Sequence, residues 1–206
     1  MGALRWESLG MMLLLTSVLS CKSSPSSPEV GNSPTLPSDT SSGALSVWQQ
    51  LGDSLTLERQ RQILQKVLTV AQKEGWAGAV RYCHSAAETL TFYRTAEFSL
   101  QRVALRYRNP KNALADSLDR RAYTYYDTTR AQHSVVWVAG PHTLRYYRPI
   151  YLAMPQCLKC HGKPEDLDGP ALAEIRRRYP GDKARDFALG DLRGLWKVEF
   201  RLSASP

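Results

Sequence analysis

The chain has 206 residues, of which 43% are hydrophobic and 22% charged, and its formal net charge is +8. This composition is that of a globular chain and excludes the collagen-like and wholly disordered classes. A net positive charge is typical of proteins that bind nucleic acid, an anionic membrane surface or an acidic partner protein. The export signal described next argues against nucleic acid.

The first twenty residues have the pattern of a targeting segment. Arg5 precedes a mostly apolar run over 9–19, which is shorter than the roughly 20 residues that a membrane-spanning helix needs. The run therefore fits a secretory signal. It ends in Val18-Leu19-Ser20-Cys21, which resembles the bacterial lipobox. Residues 1–20 are predicted to be a lipoprotein signal peptide and Cys21 the lipidation site; the alternative is an ordinary signal peptide that happens to contain a cysteine.

The segment 21–43 is rich in Ser, Pro, Thr and Gly, so it cannot bury a core and is predicted to be a disordered tether. Together with the acylated cysteine, this tether predicts a lipid-anchored protein of a bacterial cell envelope, on the periplasmic side or at the outer membrane. The membrane is then one partner, reached through the anchor, and residues 44–206 form the folded domain.

Helical spacing of apolar residues dominates the start of this domain. The pattern predicts one helix over 45–74 and a second over 76–87, with Gly75 and Gly78 as interruptions. The later elements are predicted in this order: a strand over 98–107, a turn at Asn109-Pro110, a helix over 113–126, a hairpin of strands 134–139 and 143–152, a helix over 170–178 and a strand over 195–202. This order predicts an α+β fold, of which a PAS-like antiparallel sheet with N-terminal helices is one kind.

One motif carries specific chemistry: Cys157-Leu158-Lys159-Cys160-His161. Two cysteines three residues apart lie on one side of a helical turn, where both sulfurs can reach the vinyl groups of one porphyrin, and the next residue can bind its iron. This is the attachment pattern of a c-type haem. It predicts one covalent haem held by Cys157 and Cys160, with His161 on the iron. A zinc site would need a second ligand pair, and a thioredoxin-like pair does not demand the histidine.

The other iron ligand has several candidates: Cys83, His84, His133, His142 and Met154, and less often a tyrosine or lysine. Met154 is too near Cys157 in sequence to reach the opposite face easily. Cys83 has no anchor or vinyl role, although a buried core cysteine is the simpler interpretation. The residues alone favour Cys83 over His84 only slightly.

Four further stretches resemble the Tll-like c-type haem domain family, long catalogued as a bacterial domain of unknown function. They are 79–83, 105–112, 147–150 leading into the haem motif, and 179–184 continuing to 190–194. The resemblance covers about residues 50–202. It implies a PAS-like haem domain with an N-terminal helical part, and an axial pair of His161 and Cys83.

Three basic residues, Arg106, Arg108 and Lys111, flank the Asn109-Pro110 turn. They are either a solvated basic loop or partners of the haem propionates, which arginine suits well.

The expected function follows from the ligand pair. An iron with two protein ligands has no vacant place for a substrate, so we expect no enzyme. The leading hypothesis is a redox or small-gas sensor module, whose signal an unknown protein partner would receive. The alternative is a membrane-tethered electron-transfer cytochrome with a redox partner, and a third possibility is a haem-stabilised structural domain.

Overall fold

The structure, a computed structural model, describes residues 42–203. The predicted signal peptide, Cys21 and nearly all of the predicted tether lie outside the described residues. Within 42–203, no helix combines the length and the apolarity that crossing a bilayer requires.

The first helix, α1 (Ser42–Thr91), consists of two helical parts separated at Gly75. Gly75 has φ 71° and ψ 178°, a backbone region that is essentially restricted to glycine. The two predicted N-terminal helices and the break between them are therefore confirmed, whereas Gly78 lies inside the helix.

Five strands form one antiparallel sheet in the order β1-β2-β5-β4-β3. They are β1 (Phe92–Arg94), β2 (Phe98–Val103), β3 (Val135–Gly140), β4 (Thr143–Tyr151) and β5 (Leu192–Arg201). The predicted hairpin is confirmed as β3 and β4. Strand β1 was not predicted, and β2 ends at Val103 instead of continuing to residue 107.

Helices cover both faces of the sheet. α2 (Ser117–Thr129) begins later than predicted because the Asp116 side chain caps it by accepting a hydrogen bond from the Asp119 N–H. Alternating residues of β5 divide between the faces, with Leu195 packed on the α2 side and Trp196 on the α1 side. The core on the α1 side comprises Trp48, Leu100, Leu144, Tyr146, Ile150, Trp196, Val198, Phe200 and Leu202.

Two helices lie in the connection between β4 and β5: α3 (Pro155–His161) and α4 (Gly169–Arg178). Ala171 and Ile175 of α4 pack against Val80 in the second part of α1, which fixes that part of the helix. The prediction of an α+β fold with N-terminal helices and a PAS-like antiparallel sheet is confirmed.

Candidate cofactor site

A cavity of about 430 Å³ lies on the α1 side of the sheet. Both parts of α1 line it, together with α3 and strands β2, β4 and β5. Its apolar wall includes Ile63, Leu64 and Val67 before Gly75, and Trp76 and Val80 after it. This volume is within the range of cavities that bind cofactors and other small molecules.

The helix α3 brings all three residues of the predicted attachment motif, Cys157, Cys160 and His161, to the cavity. The last carbonyl groups of a helix have no hydrogen-bond partner within the helix, and in α3 two of them accept hydrogen bonds from other segments. Arg108 Nη2 donates to the Cys160 oxygen at 2.5 Å, and the Phe187 N–H donates to the His161 oxygen at 3.1 Å. The helix that carries the motif is therefore held at its C-terminal end by two other segments of the chain.

Gly162 permits the tight exit from α3. A Cβ added at this position would lie 2.8 Å from the Leu158 carbonyl oxygen and 2.6 Å from the Asp166 Cβ. Any larger residue would push the chain away from α3 directly after His161.

The imidazole of His161 is oriented by a backbone carbonyl, since its Nδ1 lies 2.9 Å from the Ala184 oxygen. A carbonyl only accepts, so Nδ1 carries the proton and Nε2 keeps its lone pair. Burial lowers the pKa of His161 well below its ordinary value, and the positive charges of Arg108 and Arg193 act in the same direction. The ring is therefore a neutral imidazole with Nε2 free for a metal, the form and orientation that metal-binding histidines have.

Arg108 and Asp182 hold this carbonyl in place. Arg108 Nε donates to Asp182 Oδ1 at 3.1 Å and its Nη2 donates to the Ala184 oxygen at 3.2 Å. Asp182 Oδ1 also accepts from the Ala184 N–H at 2.9 Å. Only 12% of the Arg108 side chain and 4% of the Asp182 side chain are exposed, so the pair is a buried support for His161.

Cys83 reaches the same cavity from the second part of α1 and is a free thiol. Burial raises the pKa of this thiol, while the positive charges of Arg102 and Arg108 oppose that rise. The fold thus brings Cys83 to the same cavity as the distant Cys157, Cys160 and His161.

The alternative ligands are placed differently. The exposed ring of His84 packs edge-on against Tyr179, with 5.2 Å between ring centroids, and is not part of the cavity wall. His133 is exposed beside the Tyr125 hydroxyl, and His142 is exposed in the turn between β3 and β4. Met154 does line the cavity, at the N-cap position of α3.

Two rival chemistries for the motif lack support in the structure. Within residues 42–203 no group of three or more His, Cys, Asp and Glu side chains is arranged to hold a metal ion, which is the arrangement that a structural zinc site needs. Burial also raises the thiol pKa of Cys157, and raises that of Cys160 to about 12. Reactive thioredoxin-like cysteines have the opposite shift.

Comparison with known proteins establishes the family. The family model described as Tll0287-like matches residues 48–201. The chain belongs to the Tll0287-like family. A solved structure described as the crystal structure of the cyanobacterial heme-protein Tll0287 aligns with 76% of this chain and 98% of its own, at 23% identity and a TM-score of 0.52. That likeness shows a shared fold, and a comparison with curated proteins found no match.

The cavity wall of this Tll0287-like chain also contains three arginines that were not among the residues predicted from the sequence. They are Arg102, Arg148 and Arg193. Two of their nitrogens, Arg148 Nη1 and Arg193 Nε, are buried and have no hydrogen-bond partner within residues 42–203. Buried donors without partners are rare in folded proteins, so these two indicate a bound group that supplies acceptors. An apolar cavity lined by the Cys157 and Cys160 thiols, a neutral histidine, the Cys83 thiol and unpaired cationic donors has the chemistry to hold a haem and its carboxylates.

The three basic residues predicted to meet propionates are placed otherwise. Arg106 lies over the Phe187 ring, 3.5 Å from its centroid, and donates to the Arg185 carbonyl at 2.9 Å. Lys111 is exposed, and neither residue belongs to the cavity wall. Arg108 lines the cavity but is engaged by Asp182. A sequence signal for Arg102 and Arg148 is their position in strands whose neighbours are apolar, with Arg102 between Leu100 and Val103.

Proposed function

We propose that the chain is a single-haem c-type haem protein, with thioether bonds through Cys157 and Cys160 and with His161 and Cys83 as the iron ligands. The observation that carries this proposal is that all four side chains line one cavity of suitable size. A bound haem would supply a redox-active iron. The chain's part is to orient the His161 Nε2, hold the Cys83 sulfur and exclude water with the apolar wall.

We propose a redox or small-gas sensor as its role, and not an enzyme. Cys83 lies on the part of α1 beyond Gly75, so a change at this sulfur can be passed to the rest of the helix. Release of Cys83 would open one coordination position and change the contacts of the second part of α1, which a partner protein can detect.

Electron transfer is the second candidate, and one observation favours it. The segment that carries Cys83 is packed on α4 through Val80, Ala171 and Ile175, and this contact would keep the sulfur in place in both oxidation states. A carrier keeps both ligands when it is reduced, whereas a sensor loses one or binds an added gas.

Covalent attachment is tested first. The full chain, expressed in a host that matures c-type cytochromes, should retain haem after denaturing electrophoresis. Cys157→Ala/Cys160→Ala should lose it, and Cys83→Ser should keep it. Loss of all haem from wild type under these conditions would refute the proposal.

Axial ligation is tested by ferric and ferrous absorption spectra, with and without carbon monoxide. Wild type should show low-spin ferric thiolate features that Cys83→Ser lacks, and the matched neighbour variant His84→Ala should resemble wild type. Carbon monoxide binding to reduced wild type would support the sensor, and its absence would support the electron carrier. Identical spectra for wild type and Cys83→Ser would remove Cys83 from the iron.

We also propose that the protein is lipid-anchored in a bacterial cell envelope through Cys21, with residues 21–43 as the tether. The support is the apolar run that ends at the lipobox-like Val18-Leu19-Ser20-Cys21. Metabolic labelling with a fatty-acid analogue should mark wild type and leave Cys21→Ser unmarked. Equal labelling of both would contradict the anchor.

A further inference from the structure

We propose that Arg102, Arg148 and Arg193 form the binding site for the two propionate carboxylates of the haem. This assignment rests on the proposed function, and it moves the carboxylates away from the Asn109-Pro110 turn to the middle of the sheet. Its basis is the position of the three arginines in the cavity wall, the burial of Arg193 and of the Arg148 Nη1, and the lack of acidic partners.

Two of the arginines lie in one row across three adjacent strands. Arg102 of β2 is paired with Trp196 of β5, and Trp196 is paired on its other side with Arg148 of β4. Directly opposed residues of antiparallel strands project from the same face, with Cβ atoms about 5 Å apart. Trp196 is therefore flanked by two arginines on the face that lines the cavity, and the Arg102 guanidinium lies 5.8 Å from a Trp196 ring centroid.

The third arginine is directed to the cavity by a β-bulge. Ile150 pairs with Gly194 and Tyr151 with Leu192, so Arg193 is the extra residue on β5. Strict alternation would place Arg193 on the α2 face with Leu195, but a bulge changes the direction of a side chain. Arg193 is only 8% exposed and lines the cavity, and one of its nitrogens, Nη1, donates to the Arg106 carbonyl at 3.1 Å.

Within residues 42–203, none of these three arginines forms an ion pair with a carboxylate. The acidic side chain whose charge acts on Arg193 is Asp182, which Arg108 already engages. Burial lowers the pKa of both Arg102 and Arg193, as expected for cations removed from water without a counter-charge. Buried charges are paired in stable proteins, and arginine forms bidentate hydrogen bonds with carboxylates. Two carboxylates would satisfy Arg193 Nε and Arg148 Nη1 together.

The test compares haem with haem dimethyl ester, whose carboxylates cannot carry charge. The full chain with Cys157→Ala/Cys160→Ala binds either porphyrin reversibly, so affinities can be measured by absorption titration. Arg193→Gln should weaken haem binding about tenfold or more, the effect of losing a charged hydrogen bond, and change the ester's affinity less than twofold. The matched control, Arg106→Gln, should not distinguish the two ligands.

The outcomes separate this inference from the proposed function. If Arg193→Gln weakens both ligands equally, or if Arg106→Gln distinguishes them, the assignment is wrong while haem binding stands. If neither porphyrin binds and wild type carries no covalent haem, the proposed function itself fails. Circular dichroism checks the fold, and if Arg193→Gln does not fold, Arg148→Gln is judged by the same criterion. In the covalently loaded chain, Arg193→Gln should also shift the carboxylate bands of the reduced-minus-oxidised infrared spectrum, and unshifted bands would count against the site.

Discussion

A single side chain, Arg108, joins three parts of the site. It forms an ion pair with Asp182 and donates to the carbonyl oxygen of Cys160, near the end of α3. It also donates to the Ala184 oxygen that orients His161. Because both members of the pair are buried, the arginine is a structural support of the histidine and not a surface charge. Its neutral replacement would leave the buried Asp182 carboxylate with only the Ala184 N–H at 2.9 Å and the Arg185 Nε at 3.8 Å as partners.

We therefore expect Arg108→Met to lower the free energy of unfolding by about 3 kcal/mol, the cost of breaking a buried ion pair. Urea unfolding of variant and wild type prepared in the same way measures this difference. The matched control is Arg61→Met, which removes a 65% exposed arginine from its pair with Glu58 and should change stability by less than about 0.5 kcal/mol. Equal effects of the two variants would contradict the role of Arg108.

A second residue-scale prediction concerns pH. Partial burial acts to raise the pKa of Asp116, but the Asp119 N–H and the Arg145 guanidinium at 2.5 Å outweigh it, so the pKa lies below its ordinary value of 3.8. A lowered folded-state pKa stabilises the protein above pH 3.8, and this contribution is lost as the pH falls through the folded-state pKa.

Asp116→Asn keeps the helix cap but removes the charge, so it isolates this contribution. We expect wild type to be more stable than the variant at pH 6 by at most about 1 kcal/mol, with the difference shrinking below pH 3.8. Denaturant unfolding at several pH values measures it, and Glu165→Gln, at an exposed position, is the control. A difference that stays constant down to pH 2 would exclude the proposed ion pair as its source.

Individual site residues could be predicted from the sequence only where they belong to a recognisable motif. Cys157, Cys160 and His161 were predicted by spacing, whereas Cys83 was implied by the family resemblance after the residues alone favoured it only slightly. All four line the cavity. Arg193 could not be predicted, because a bulge that depends on the pairing of β4 and β5 directs it. The basic residues around Asn109 carried a misleading local signal, since burial and pairing are decided by distant segments.

Among the elements, α1 has the feature with the clearest energetic consequence. Gly75 divides it into a part that packs on the sheet through Trp48 and a part that presents Cys83. The backbone at Gly75 has φ 71°, and nothing lies within 4 Å of an added Cβ. A side chain there would meet no neighbour, so its cost is purely one of backbone conformation.

We expect Gly75→Ala to destabilise the protein by about 1–3 kcal/mol and to alter the ferric spectrum, because the direction of the Cys83 segment changes. Gly43→Ala is the control: a Cβ there also meets no atom within 4 Å, and because Gly43 lies in the first turn of α1 the change should be neutral or slightly stabilising, by less than about 1 kcal/mol. Thermal unfolding and absorption spectra measure both effects. A Gly75→Ala protein as stable as Gly43→Ala would show that the two parts can join as one straight helix.

Elements with strong periodicity or turn residues were predictable. The two parts of α1, the β3–β4 hairpin and α4 all follow from local pattern. Strand β1 was missed because its three residues are all exposed and therefore show no alternation. Strand β2 was predicted too long because Ala104 leaves the sheet to bridge Ala113, a contact that no local pattern contains.

For the whole molecule, the cavity divides the fold into two regions that should respond differently to a ligand. The second part of α1 and helix α3 line the cavity, whereas α2 packs on the opposite face of the sheet. A group bound in the cavity adds contacts to the first region only.

Hydrogen exchange of the full chain with and without haem should therefore differ locally. We expect loading to slow exchange at least tenfold in residues 76–91 and 155–161, because a bound ligand suppresses local opening. The amides of α2 provide the internal control and should change less than those of the cavity helices. Uniform protection across both faces would contradict a ligand held between α1, α3 and the sheet.

The central position of β5 also affects how fast the chain can fold. This strand follows all the other strands in sequence, yet it pairs with both β2 and β4, so that Phe98 meets Phe200 and Thr143 meets Arg201. Ladders between such distant segments raise the contact order, so this sheet should form more slowly than a fold built from local contacts. Before β5 pairs, its residues Arg193 and Trp196 are not yet in the cavity wall, so we expect the Cys157 and Cys160 thiols, partly buried in the finished fold, to be more accessible to reagents. A covalent bond to either sulfur is therefore expected to form most easily before β5 pairs with its neighbours.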